Sequence, residues 1–168
     1  MNRVLFHAEE LPLPSWTKKA GGFVKKVLEK LGRKNWEVSV LFCNNRYIKS
    51  LNAQYRNRDE PTDVLSFPLG EPPPGLKAEV PLRKTVSGGG RSSCYLAGDI
   101  VISLDALEEN ARFFKVSEDE ELRRLLIHGI LHLTGEDHAT NKAEEPMLKA
   151  QEEIFAALAG ERIQEKVS

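Results

Sequence analysis

Three of the chain's four histidines fall in one eleven-residue stretch, HGILHLTGEDH, running from His128 to His138. Few segments restrict a fold so tightly. Read as a helix, LRRLLIHGILHLTG sets His128 and His132 at i and i+4, on one face, with Cβ atoms about 5–6 Å apart. Two imidazoles at that separation can converge on one ion at about 2.0–2.1 Å each. A residue further along the same helix would point away from that ion, so the third ligand has to come from beyond the helix. Gly135 supplies the stop, because glycine readily takes the left-handed conformation that ends a helix. The chain can then fold back and return His138. Neutral imidazoles suit zinc, and without thiolates a closed all-cysteine structural site is excluded. Three ligands leave the fourth tetrahedral position to water, the layout of a catalytic zinc. Spacing alone leaves nickel, copper and iron open.

The spacing also matches the metzincin pattern HExxHxxGxxH, glycine included, with one departure. Where that pattern carries the glutamate base of peptide hydrolysis, this chain has Gly129. A glycine inside a helix costs about 1 kcal/mol against alanine, and here it removes the base, so peptide hydrolysis by that mechanism is disfavoured. Two readings of Gly129 stay open: room for backbone or ligand to approach the metal, or a helix–strand contact that needs no side chain. Asp137 likewise has two readings, a hydrogen bond to a ligand imidazole or the shaping of the turn.

The rest of the chain alternates between the two periodicities. NRVLFH (2–7) suggests a short first strand. From Ser15, Trp16, Phe23, Val24, Val27, Leu28 and Leu31 recur at helical spacing, with lysines opposite and Gly32 as the stop. WEVSVLF (36–42) alternates and is β-branched, so it reads as a strand. Asn44 caps a helix running to about Arg56, and TDVLSFP (62–68) is a strand that Pro68 ends. Residues 69–95 carry EPPPG and SGGG and no core periodicity, which predicts a long flexible loop, a lid over a site or a tolerated insertion. AGDIVIS (97–103) is the last strand, Ser103 opens a helix to about Lys115, and Ser117 with Glu120 forms a capping box opening the helix that ends at Leu133. A final helix spans about Lys142 to Leu158, followed by a charged tail. The expected fold is a single α/β (α+β) domain over residues 1–168, with a small, mostly four-stranded mixed sheet, about five helices and the metal helix in the C-terminal half.

Composition narrows the class of protein. The chain has no run of about 18 apolar residues for a membrane span. Its first residues carry no long apolar core or cleavage site, so no secretory signal is expected. Cys43 and Cys94 lack CxxC spacing and read as reduced thiols of a cytoplasmic protein. Net charge is −1, but residues 1–60 carry +6 and residues 61–168 carry −7. A basic half can attract phosphates while the whole stays near neutral. Lys18, Lys19, Lys25, Lys26, Lys30, Arg33 and Lys34 form a basic face that either tracks an RNA backbone or is simply solvated.

The fuller string H-G-x-L-H-L-x-G-x-D-H resembles the signature of the YbeY family, bacterial zinc-dependent endoribonucleases and rRNA maturation factors. LNAQYRNRDEPTDVLSFP (51–68) resembles the family's upstream block, and GDIVIS (98–103) the strand leading to its zinc helix. These matches extend from about residue 51 to 145; the segment 69–95 is longer than the family usually carries between the two blocks. The resemblance implies a single-strand-preferring endoribonuclease acting on rRNA precursor, in small-subunit (16S) rRNA 3′-end maturation and ribosome quality control, with the ribosome or small subunit and ribosome-associated proteins as partners. It maps His128, His132 and His138 onto the ligands of one Zn²⁺ and Arg56 onto the family's functional arginine beside the metal. Taken by itself, without the resemblance, Arg56 reads first as an exposed arginine favouring the C-terminal dipole of its helix. Asp63 and Ser66 either border the cleft or are ordinary cap and strand positions. Two other functions remain on this evidence: a non-catalytic ribosome-assembly factor stabilised by zinc, and a zinc hydrolase of another bond.

Overall fold

The computed structural model describes residues 1–69 and 94–164. The element order is β1 (Arg3–Ala8), α1 (Thr17–Lys30), β2 (Trp36–Cys43), α2 (Asn45–Arg56), β3 (Val64–Pro68), β4 (Tyr95–Ser103), α3 (Leu104–Phe114), α4 (Glu118–Leu133) and α5 (Pro146–Ala157). Four strands make one mixed sheet in the order β1-β2-β4-β3, with β1, β2 and β4 parallel and β3 antiparallel to β4. Among the described residues this is the expected four-stranded α/β architecture with five helices. Of the expected loop 69–95, residues 70–93 lie outside the described residues, as do residues 165–168 of the tail. Tyr95 already belongs to β4, and Leu69 N donates to Ala97 O at 3.1 Å, so strand pairing reaches into both ends of that interval.

Side-chain alternation sorts the core into two faces. Val38, Val40 and Phe42 of β2 and Ile100 and Ile102 of β4 pack with α1 and α4. Their neighbours Leu41, Cys43 and Val101, with Leu65 and Phe67 of β3, pack beneath α2. Covered on both faces, the two central strands read as nearly continuous apolar runs. Cys43 is buried, donates to Ile102 O at 3.6 Å, and has its thiol pushed up to about 12, chiefly by burial. Both Cys43 and Cys94 are free. Among the described residues, no helix is long and apolar enough to cross a membrane.

The caps fall where the side chains place them. Asn44, Ser103 and Ser117 each accept a hydrogen bond from a backbone N–H in the first turn of their helices. The last helix starts at Pro146, not near Lys142. Proline has no N–H to lose and a φ already set for the first helical position, so the helix begins there and 142–145 form a turn. Asp119 anchors α4 at its N-terminal end: buried, it bonds Arg123 Nε at 2.8 Å and accepts Ile163 N and Gln164 N at 2.8 Å each. The start of α4, which carries two of the histidines, is thereby tied to the C-terminal segment.

Candidate metal centre

His128 and His132 project from one face of α4, and their Nε2 atoms lie 3.1 Å apart. The helix ends in a Schellman turn: Gly135 N donates to His132 O at 3.0 Å and Glu136 N to Leu131 O at 3.1 Å, with Gly135 at φ +95°. That reversal brings His138 back, its ring centroid 5.1 Å from His128 and 5.4 Å from His132. One ligand atom from each histidine lies within 4.8 Å of the other two, and among the described residues no other histidine, cysteine or carboxylate joins this group. His7, the fourth histidine, sits apart on β1.

Each ring has its Nδ1 against an oxygen: His128 against Gln151 Oε1 at 2.8 Å, His132 against Glu136 O at 3.0 Å, His138 against Thr140 O at 2.9 Å. These acceptors assign the Nδ1–H tautomer to the neutral rings, which leaves each Nε2 with its lone pair free, and those of His128 and His132 face each other. Burial, the largest cause in both cases, holds His128 below the usual histidine range and pushes His132 down to about 4, favouring the unprotonated form. Two lone pairs 3.1 Å apart repel unless a cation stands between them. Nitrogens bound at about 2.0–2.1 Å to a tetrahedral ion would lie about 3.3 Å apart. Donor set, tautomers and spacing therefore fit a zinc-type ion.

The histidines open into a cavity of about 1050 Å³, whose wall includes Arg56, Asp63, Ser66, Phe114, Glu121 and Arg124. Arg56, the last residue of α2, crosses the outer edge of β3: Nη2 donates to Ser66 O at 2.9 Å, and the guanidinium carbon lies 5.5 Å above the Phe67 ring. Its helix lies on the far face of the sheet, yet the side chain reaches the histidine side. Asp63 and Ser66 do border the cleft. Asp63 accepts Val64 N at 2.8 Å and Asn110 Nδ2 at 3.0 Å, while Ser66 Oγ donates to Gly129 O at 3.3 Å.

Gly129 proves to be a packing glycine. A Cβ there would lie 2.8 Å from Ile100 Cγ2, so α4 rests on β4 closer than any side chain allows. Asp137 shapes the turn, accepting His138 N at 2.8 Å, while its carboxylate stands 4.0 Å from His132 Nδ1. None of the basic residues from Lys18 to Lys34 lines the cavity; Lys26 of α1 pairs with Glu161, and Arg33, beyond the end of that helix, lies 5.0 Å over the Trp36 ring.

Two polar residues of the site carried no sequence signal. Gln151 comes from α5, where nothing in the helical pattern marks it as a partner of His128. Glu121 lines the cavity two turns before His128, its carboxyl raised by burial against the opposing Asn110 hydrogen bond.

Residues 6–159 match the model of a family described as Endoribonuclease YbeY. The chain belongs to that family. It is 48% identical over 133 residues to an Endoribonuclease YbeY of Treponema denticola, covering 79% of this chain and 77% of the relative. A second Endoribonuclease YbeY, from Persephonella marina, is 40% identical over 157 residues, 92% of each chain. A solution structure of a Thermotoga maritima protein superposes with a TM-score of 0.57 at 27% identity, covering 98% of this chain and 97% of that one. The family match spans both upstream blocks as well as the YbeY histidine motif.

Proposed function

We propose that the chain is a zinc-dependent endoribonuclease that prefers single-stranded RNA and acts in small-subunit rRNA 3′-end maturation and ribosome quality control. The proposed setting is the cytoplasm, on ribosomal precursors. His128, His132 and His138 hold one zinc per chain, and Arg56 works beside it. The observation that carries this reading is the convergence of one ring nitrogen from each of three histidines in a cavity walled by Arg56, in a family whose relatives bear the name Endoribonuclease YbeY.

Phosphodiester cleavage builds negative charge on the phosphate oxygens. A zinc held by the three histidines would supply positive charge there and would make water acidic, from a pKa of about 15.7 in bulk to about 7, which would serve a chain with no glutamate base at position 129. Arg56 adds a guanidinium whose planar fork matches a phosphate edge. Its bond to Ser66 O and its seat over Phe67 fix the direction of that fork before RNA arrives. The three Nδ1–H contacts hold the imidazoles in the tautomer that leaves Nε2 unprotonated. The attacking oxygen is that of water or of the RNA's own 2′-OH, and both routes need the same charge stabilisation.

The test is incubation of wild type, His132→Ala and Arg56→Ala with ribosomal precursor RNA, with metal content measured on the same samples. Wild type should carry about one zinc and cut the RNA. His132→Ala should lose metal and cleavage together. Arg56→Ala should keep its metal and lose about 10²-fold in rate. Equal RNA degradation by wild type and His132→Ala would point to a contaminating nuclease and remove the enzymatic claim.

A further inference from the structure

Most large apolar side chains of the described residues are buried, but Phe113 and Phe114 are 79% and 60% exposed. They end α3, with Lys115 in the left-handed conformation that closes the helix. Exposed phenylalanine costs free energy, so a pair of them calls for a reason. Their placement supplies one. Phe114 lines the same cavity as the three histidines and Arg56. It stands one turn beyond Asn110, whose amide bonds Asp63 at 3.0 Å and Glu121 at 3.4 Å on the cavity wall. Residues four apart share a helix face, so Phe114 extends that wall outward to its mouth. The Phe113 and Phe114 rings pack T-shaped, centroids 5.1 Å apart and planes at 86°, a contact that braces Phe114 and still leaves it 60% exposed.

We propose that Phe114 is a nucleobase-stacking platform: it holds one unpaired base of the RNA strand at the mouth of the cleft while the backbone runs to the histidines and Arg56. This rests on the endoribonuclease reading above and adds a subsite to it. Every base presents a π face, so the contact is tolerant of sequence. A base inside a duplex has both faces occupied by its neighbours, so the same contact discriminates for single strands. No charge is needed on Phe114 because Arg56 supplies the phosphate contact, and the two residues divide backbone from base.

The experiment uses full-length, zinc-loaded protein and short single-stranded RNA oligonucleotides, intact or with one abasic nucleotide placed at each position in turn. Binding is read by fluorescence anisotropy and cleavage by steady-state kinetics on the same set. Loss of one exposed stacking contact should weaken binding about fivefold, the low end of the range for a base on an aromatic ring. Phe114→Ala should raise Kd and KM by that factor with little change in kcat, and Phe114→Trp should restore both. Phe114→Leu, apolar but without a π face, should resemble alanine. In wild type one abasic position should cost the same factor, and in Phe114→Ala that position should cost nothing further. Phe114 is exposed, so these variants should keep the wild-type unfolding midpoint. Equal affinity of wild type and Phe114→Ala for intact RNA, or an undiminished abasic penalty in the variant, overturns the proposal. If wild type cuts RNA and Phe114→Ala cuts it identically, only the platform falls. If wild type neither binds nor cuts RNA, the platform falls together with the endoribonuclease reading.

Discussion

Gly129→Ala isolates the contact that seats the histidine helix on the sheet. In an exposed helix the change would stabilise by about 1 kcal/mol, the difference in helix propensity. Here the new Cβ would meet Ile100 Cγ2 at 2.8 Å, Cδ1 at 3.0 Å and Cγ1 at 3.1 Å. Ile100 is fully buried in β4, which is paired on both edges, so it has little space into which to rotate. Overpacking of this kind costs about 1–3 kcal/mol. Set against the propensity gain, Gly129→Ala should destabilise by about 0–2 kcal/mol. Ile100→Ala removes all three contacting atoms, at about 2–5 kcal/mol for the cavity. In that background Gly129→Ala should become stabilising by about 1 kcal/mol. The double-mutant cycle should therefore give a coupling of about 1–3 kcal/mol. Urea unfolding of chelator-stripped protein is the assay, since bound metal would add its own linkage to the measured stability. If Gly129→Ala stabilises by the full 1 kcal/mol in the wild-type background, the close approach of α4 and β4 is wrong, and room beside the metal becomes the better account of the glycine.

Gln151→Leu leaves the His128 Nδ1–H without its acceptor; metal affinity should fall about 10–100-fold in competition with a chromophoric chelator, and unchanged affinity would show that the contact orients nothing. The metal-free protein should lose stability as pH falls from about 6.5 toward 4. Folded His132 has its pKa pushed down to about 4 and His128 shifts the same way, so the unfolded chain binds more protons in that window and acid favours it. His132→Gln should flatten the dependence of the urea midpoint on pH, and an equally steep slope in that variant would assign the proton uptake to other groups.

What the sequence disclosed was what local chemistry controls. The i, i+4 histidines, the stop at Gly135 and the caps at Asn44, Ser103 and Ser117 each depend on residues a few positions apart, and each is where spacing placed it. Less legible were contacts made between elements. Gly129 had two readings because its partner, Ile100, is on a strand 29 positions earlier. Gln151 was invisible because an amide on a helix face looks solvated until another helix is laid against it. Strand order has the same difficulty: β4 enters between β2 and β3, a pairing that no turn between neighbouring strands specifies. The start of α5 could have been read from Pro146, whose ring suits the first turn of a helix better than any interior position.

The three imidazoles are oriented by unequal means, and this bears on how the site resists disturbance. His132 is held by the carbonyl of Glu136 and His138 by that of Thr140, so two rings are set by the backbone of the segment that ends the helix. His128 depends on a side chain from another element, Gln151 of α5. Strain in the turn at Gly135 would therefore disturb two ligands at once, whereas a shift of α5 would disturb one. Ordering a long side chain also costs more conformational entropy than using a backbone carbonyl. The packing of α5 against α4 is thus part of the metal site in energetic terms, although α5 supplies no ligand. The Arg124 guanidinium, bonded to Glu152 Oε1 at 3.0 Å and lying 4.0 Å from the Phe155 ring, helps keep that helix where Gln151 can reach His128.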